Sequence, residues 1–225
     1  MTRAEKPTSR HRRTPVVSPS APRELPTTPR GIRTRAKLVD AARTVFERDG
    51  FLDARLIDIT NEAGISAGSF YTYFDSKEEI FAAVLASVEE EMLHPHVRAL
   101  TAGDDPVELI RAANRAYLES YRRNAAFMRL LLQVSSIDEE FAQLRRRRGE
   151  AFAQRNARSI QDLQERGVAK AKVDPYRAAS ALSGMVGRAA YAAFIIGEEW
   201  DFEELVETLT QLWANSLLIS TDDAT

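Results

Sequence analysis

Residues 63–79 read AGISAGSFYTYFDSKEE. A short helix carrying Leu56, Ile57, Ile59 and Ala63 is predicted to stop at Gly64, since glycine enters left-handed backbone angles cheaply. Ser66 then offers a hydroxyl cap for a helix running to about Phe74. Ile65 and Phe70 face inward and lock the two helices. Ala67, Gly68, Ser69, Tyr71, Thr72 and Tyr73 are left on or near the exposed side. Ser76-Lys77-Glu78-Glu79 forms a capping box that opens another helix at once. Two short helices meet at a tight corner, and the second begins with small residues and continues with two tyrosines around a threonine. This is the grammar of a helix-turn-helix, whose second helix lies in a DNA groove. Small leading residues let its backbone approach a duplex closely. Its Ser66 end presents amides and a positive dipole end to phosphate.

Upstream, structure is expected from about Thr34. Leu38, Ala41, Ala42, Val45 and Phe46 follow at helical spacing, and Asp49-Gly50 closes the run. Before that, residues 1–30 hold most of the nine prolines and few apolar side chains, the composition of a disordered arm. Charge is divided in the same way. Residues 1–36 carry nine Lys/Arg against Glu5 and Glu24, while the remainder carries 22 basic and 31 acidic residues. A basic end on an acidic body suits a polyanionic partner at that end. Arg30, Arg33 and Arg35 are expected just before the first helix, where an arm can enter a minor groove.

Downstream the pattern is helical throughout. Ile80, Phe81, Val84, Leu85, Val88 and Met92 form one stripe, and the helix is expected to kink or end at His94-Pro95-His96. Pro106 opens a helix through Val107, Ile110, Ala113, Tyr117 and Tyr121. Asn124 is placed to cap the next, and Asp138 opens a long helix ending at Gly167. Asp174-Pro175 starts another, and Asp201 caps the last. No stretch alternates as a strand does, so the fold class is all-α. The organisation expected is a disordered arm (1–30), a three-helix DNA-binding unit (31–80), a larger helical effector-binding and dimerisation domain (81–220) and a disordered tail (221–225).

Several functions are excluded or disfavoured. The chain has no cysteine, which rules out disulfides and thiolate chemistry and fits a cytoplasmic location. No apolar run is expected to cross a membrane. Three histidines, none beside a plausible nucleophile, and the lack of a glycine-rich phosphate loop argue against an enzyme. His94 and His96 lack a third metal ligand, so neither metal nor cofactor is expected. Arg145 to Arg148 reads as a solvated helix face paired with Glu139, Glu140 and Glu150.

Residues 34–81 resemble the DNA-binding domain of TetR-family transcriptional regulators. The family pattern is met at Ala63, Gly64, Ile65, Ser66, Gly68, Phe70, Tyr71, Tyr73, Phe74, Lys77, Glu78 and Ile80, and upstream at Ala42, Phe46, Gly50, Asp58 and Ile59. The resemblance implies a homeodomain-like unit in which Ser66, Tyr71, Tyr73 and Lys77 contact phosphates, while Ser69 and Thr72 face base edges. Tyr71 is also placed to touch a thymine methyl. Two positions depart from the pattern. Arg55 stands where a hydroxyl often caps the second helix, leaving Asp53 to cap or Arg55 to reach phosphate. Ala67 stands where a basic residue is common.

A helix-turn-helix reading one half-site works as a homodimer on a palindromic operator. The last two helices are the expected seam, with small residues around Gly184 and Gly187 and apolar knobs at Leu205, Leu209, Leu212, Trp213 and Leu217. The resemblance further implies an effector cavity among the middle helices. Tyr117, Tyr121, Phe127, Met128, Leu131, Phe152, Met185, Arg188, Tyr191 and Phe194 are candidate linings for a small hydrophobic or amphipathic molecule. Arg188 either meets an anionic group or reaches solvent. The function expected is a dimeric repressor released from double-stranded DNA by such an effector. The alternative is a DNA-binding regulator or architectural factor without one.

Overall fold

In the computed structural model, residues 25–93 and 105–219 are described, and no strand occurs among them. The expectations for most of the arm, for His94 and His96 and for the C-terminal tail fall outside these residues.

The first helix, α1, spans Pro29–Asp53, five residues earlier than the apolar pattern suggested. Thr28 caps it by accepting the Gly31 amide, and Pro29 stands at a first-turn position where its missing N–H costs nothing. Arg30, Arg33 and Arg35 are therefore helical residues and not part of a preceding arm. The regular helix breaks at Gly50, whose φ of 80° sends Phe51 to Asp53 into a separate turn. α2 (Leu56–Glu62) and α3 (Ala67–Tyr73) follow. α4 (Lys77–Leu93) begins on the expected box, the Glu79 amide donating to Ser76 Oγ at 3.1 Å. The Glu79 carboxylate accepts from the Asp75 amide, one residue before the usual position.

The larger part contains α5 (Pro106–Arg123), α6 (Ala125–Ile137), α7 (Glu139–Glu165), α8 (Pro175–Tyr191) and α9 (Phe202–Ser216). α8 ends in a π-helical turn over Ala192–Ile196 that the sequence pattern did not announce. Pro175–Ile196 is long and apolar enough to cross a membrane by length and composition alone, a test that a core helix also passes. It carries Arg177 and Arg188, and its Ala179, Leu182, Val186 and Ala190 are buried against α7.

One apolar core links both parts. Phe81 of α4 is its hub. Ring centroids lie 5.2 Å away at Phe46 and 4.9 Å at Phe51 of α1, 5.2 Å at Phe127 of α6 and 4.9 Å at Phe141 of α7. Beside it runs a polar tie. Asn124, expected as a cap, makes no capping bond; its side chain is fully buried, accepting from Arg43 of α1 at 2.7 Å and donating to Glu91 of α4 at 3.2 Å. A buried amide needs such partners, and this one pins α1 and α4 to the α5–α6 corner.

The arginine run divides. Arg145, Arg146 and Arg147 are exposed and Arg146 pairs with Glu139, but Arg148 is buried. Its guanidinium faces the sulfurs of Met92 and Met128 and the Phe152 ring, with no carboxylate in ion-pair reach among the described residues. Four consecutive helical residues sweep most of a turn, so one of them had to face inward.

Candidate nucleic-acid interface and the cavity behind it

α2 and α3 meet at Gly64, whose φ of 64° makes the corner. Ile65 donates to the Thr60 carbonyl at 2.9 Å and closes it. Phe70 and Phe74 anchor α3 in the core, each 1% exposed, while Ile65 packs on its margin. Ala67, Gly68, Tyr71 and Thr72 are exposed; Tyr73 is half-buried against the core. Thr72 is thus exposed in the last turn of α3. Ser66 caps α3, and its Oγ lies 2.9 Å from Ser69 Oγ. Ser69 therefore belongs in part to the cap, which narrows its freedom to turn toward a base.

The chain before α1 passes close by. Leu25, Pro26, Thr27 and Thr28 share a crevice with Arg35, Thr72, Tyr73 and Glu79. Any residue of the arm that reaches DNA starts from beside the exposed face of α3. Arg33 points to solvent, whereas the Arg35 guanidinium stacks 5.0 Å from the Phe74 ring. Arg55 supplies no side-chain cap to α2, and Asp53 belongs to the preceding turn. Arg55 forms a two-pronged pair with Asp58 at 2.7 and 2.9 Å, which holds the Asp58 carboxyl below the usual carboxylate range.

Lys77 departs from the role the resemblance implied. Its ammonium donates to the carbonyls of Phe51 at 2.7 Å, Leu52 at 3.1 Å and Ala54 at 3.1 Å, and sits 4.8 Å from the Phe51 ring centroid. An ammonium has three protons to donate, and all three are taken. Lys77 closes the C-terminal turn of α1 instead of reaching outward.

Behind this unit lies a cavity of about 530 Å³ between α5 and α7, floored by α8 and α9. Of the candidate linings, Tyr117 and Phe152 reach it, their rings edge to face at 5.6 Å. The others are elsewhere. Phe127, Leu131 and Tyr121 fill the core, and Met128 packs under Arg148. Met185 and Phe194 pack on the core's edge, Tyr191 is half-buried, and Arg188 is exposed, stacked over Tyr191 at 5.4 Å. Leu109, Ile110, Asn114, Arg155, Arg158 and Val186 were missed. The α5 positions were legible as a stripe at i, i+3, i+4, i+7, i+8 and i+11 from Pro106, because that whole face borders the cavity.

The expected seam is also revised. Leu205, Leu209, Trp213 and Leu217 turn into the chain's own core, as α9 packs on α5 through Asn114–Thr210 and Arg111–Glu207. Gly187 faces Tyr117, whose hydroxyl would lie 3.6 Å from an added Cβ. Gly184 and Leu212 do face outward, Leu212 being 44% exposed.

Comparison with known proteins agrees with this layout. The family model "Bacterial regulatory proteins, tetR family" matches residues 38–84, which cover most of α1 through the first half of α4. The model "Transcriptional regulator EthR, C-terminal domain" matches residues 110–218, which hold most of the cavity lining. The transcriptional regulator EthR of Mycobacterium tuberculosis is 26% identical over 201 residues, covering 84% of this chain and 93% of that protein. The transcriptional regulator YdgC of Bacillus subtilis is 40% identical over 72 residues, but that match spans 32% of this chain and 34% of YdgC. Among solved structures, the flavonoid-responsive regulator FrrA superposes with a TM-score of 0.65 at 25% identity, over 82% of this chain and 96% of that one. These relatives and models are regulators of transcription, not enzymes. With an exposed reading helix at its front and both halves matched in order, the chain belongs to the TetR family of DNA-binding transcriptional regulators.

Proposed function

We propose that this protein is a cytoplasmic, dimeric repressor that grips a palindromic operator through α3 and releases it when a small hydrophobic or amphipathic molecule fills the cavity. The supporting observation is the cavity itself, enclosed by the same helices whose core continues through Phe81 into α1. Residues 31–80 read DNA and residues 81–220 hold the effector and the second subunit. Thr72 and Ser69 read base edges; Ser66, Tyr71 and Tyr73, with Arg33, Arg35 and Arg55 nearby, position the unit on phosphates. The printed name of FrrA speaks of a flavonoid response, which supports a small-molecule effector here. Ligand binding acts by favouring a state whose two reading helices no longer match the half-site spacing.

The dimer seam uses the outward faces of α8 and α9, around Gly184 and Leu212, since the inward knobs are occupied. Leu212→Glu should give a monomer in sedimentation and lose tight operator binding; a dimer with intact binding would overturn the seam. The function as a whole is tested by selecting the operator from genomic fragments and screening small molecules for release. Uniform coating of all DNA, with no palindrome protected, would refute it.

A further inference from the structure

The lining of the cavity sorts by chemistry. Its charged side chains, Arg155, Arg158, Asp162 and Arg166, all stand at exposed positions of α7, where Asp162 pairs with Arg166 at 3.0 Å. No other lining residue is charged, and Phe152, Val186, Trp213 and Leu217 are buried apolar surfaces. Charge is therefore confined to the rim, and the enclosed space is neutral. A charged group carried into it would lose its hydration with no opposite charge to replace it.

At two points the neutral part of the wall holds a donor with no acceptor. The Trp213 indole N–H is buried and unpaired. The Tyr117 hydroxyl has no hydrogen-bond partner among the described residues. Its ring is set edge to face on Phe152 and lies 6.0 Å from Tyr121, and Gly187 of α8 puts no side chain in its way, an added Cβ lying 3.6 Å from the oxygen. Burial raises the Tyr117 phenol, so it keeps its proton and can donate. The two amides of the wall are engaged by the chain itself, Asn114 donating to Thr210 Oγ1 at 3.4 Å and Asn156 to Ser183 Oγ at 2.9 Å. A donor held away from water without an acceptor is costly, and a ligand oxygen placed against it removes that cost.

We infer that the effector is an uncharged molecule, an apolar ring or chain system bearing a carbonyl oxygen, and that Tyr117 selects it by donating its hydroxyl to that oxygen. This rests on the cavity being the effector site. The apolar body lies between α5 and α7 against Phe152 and Val186, and one well-placed polar contact fixes its orientation. A carboxylate of the same shape meets no cation in the enclosed part, and a hydrocarbon leaves the hydroxyl as it is.

The test uses the full chain and three probes of one shape: 2-acetylnaphthalene, 2-isopropylnaphthalene and 2-naphthoate, each measured by equilibrium dialysis. Tyr117→Phe removes only an oxygen that bonds nothing in the structure, so the variant is expected to fold as the parent does. It should weaken 2-acetylnaphthalene about fivefold, corresponding to about 1 kcal/mol, and leave 2-isopropylnaphthalene within a factor of about two. On the parent, 2-naphthoate should bind at least about tenfold more weakly than 2-acetylnaphthalene. An equal effect of Tyr117→Phe on ketone and hydrocarbon, a carboxylate that binds as tightly as the ketone, or no binding of the ketone would each overturn the proposal. The underlying reading fails differently. If 2-acetylnaphthalene binds with this dependence on Tyr117 and the operator obtained by genomic selection stays bound, the ligand chemistry stands and the cavity is not the effector site.

Discussion

Lys77→Met separates two roles that the sequence alone could not. The side chain of methionine keeps the length and apolar stem of lysine and removes the ammonium. In the structure that ammonium holds three carbonyls at the end of α1 and stacks on Phe51. A hydrogen bond to a charged group contributes about 1.5–3 kcal/mol net. Three bonds share one cation here, and Leu52 is exposed, so its carbonyl can rehydrate. Adding about 0.5–1 kcal/mol for the stack, the variant should lose about 2–4 kcal/mol in all. In a chain of this size that lowers Tm by roughly 5–12 °C, and it is read as a lower urea midpoint with unchanged slope. The same variant is then titrated with operator DNA at several salt concentrations, well below its Tm. A phosphate contact would shallow the slope of log K against log salt by about 0.9, whereas the structural role leaves the slope alone. An unchanged urea midpoint with a slope shallower by about one would refute the argument.

Three further outcomes are expected. Thr72→Ala should relax base preference by about 1–3 kcal/mol at one operator position, measured against a panel of single-base variants, and equal weakening on every sequence would remove Thr72 from base reading. Arg148→Met should raise stability by about 1–4 kcal/mol in urea unfolding, because it replaces a buried cation facing Met92 and Met128 with an apolar side chain of similar reach; a fall would show that the guanidinium holds the fold. Tyr121 is pushed up to about 12, first by burial and then by Tyr117. The folded state therefore keeps a proton that the unfolded chain releases near pH 10, so stability is full below pH 10 and falls as pH rises toward 12, by about 1.4 kcal/mol per unit. Phenolate absorbance from Tyr121 appearing below pH 11 while the helical signal persists would contradict this.

The parts of the fold legible in the sequence were those fixed by short-range chemistry. Gly64, Ser66, Ser76, Asp138, Asp174 and Asp201 mark their corners and caps as read, because a left-handed glycine or a capping oxygen acts on backbone within four residues. The start of α1 was equally legible in Thr28-Pro29, but the proline-rich composition around it masked the signal. What could not be read were choices between partners. An apolar stripe on α9 says that Leu205, Leu209 and Trp213 are buried without saying whether α5 or a second subunit buries them. Asn124 stands where a cap belongs, yet Arg43, 81 residues away, sets its side chain. Lys77 fits the family's phosphate position, and only the turn after Gly50 brings three carbonyls to it.

These long-range choices also suggest how the two halves communicate. The cavity and the reading helix share no residue, so on the proposed function a ligand's influence must pass through elements packed against both. α7 is one: Phe152 and Arg155 border the cavity, and about three turns earlier Phe141 meets Phe81 and Phe51. α4 is the other, with Phe81 at the hub and Lys77 one turn before it on the end of α1. Close-packed aromatic rings do not compress, so displacing Phe141 has to move Phe81, Phe51 or both. Phe51 is also the residue whose ring and carbonyl Lys77 holds, which ties any shift of the aromatic cluster to the turn joining α1 to α2. The arrangement favours rotation of the α1–α3 unit as a body over distortion of α3, whose anchors Phe70 and Phe74 lie outside the Phe81 cluster. A ligand that biases this cluster can change the separation of two reading helices in a dimer while leaving the base-reading face of each one intact.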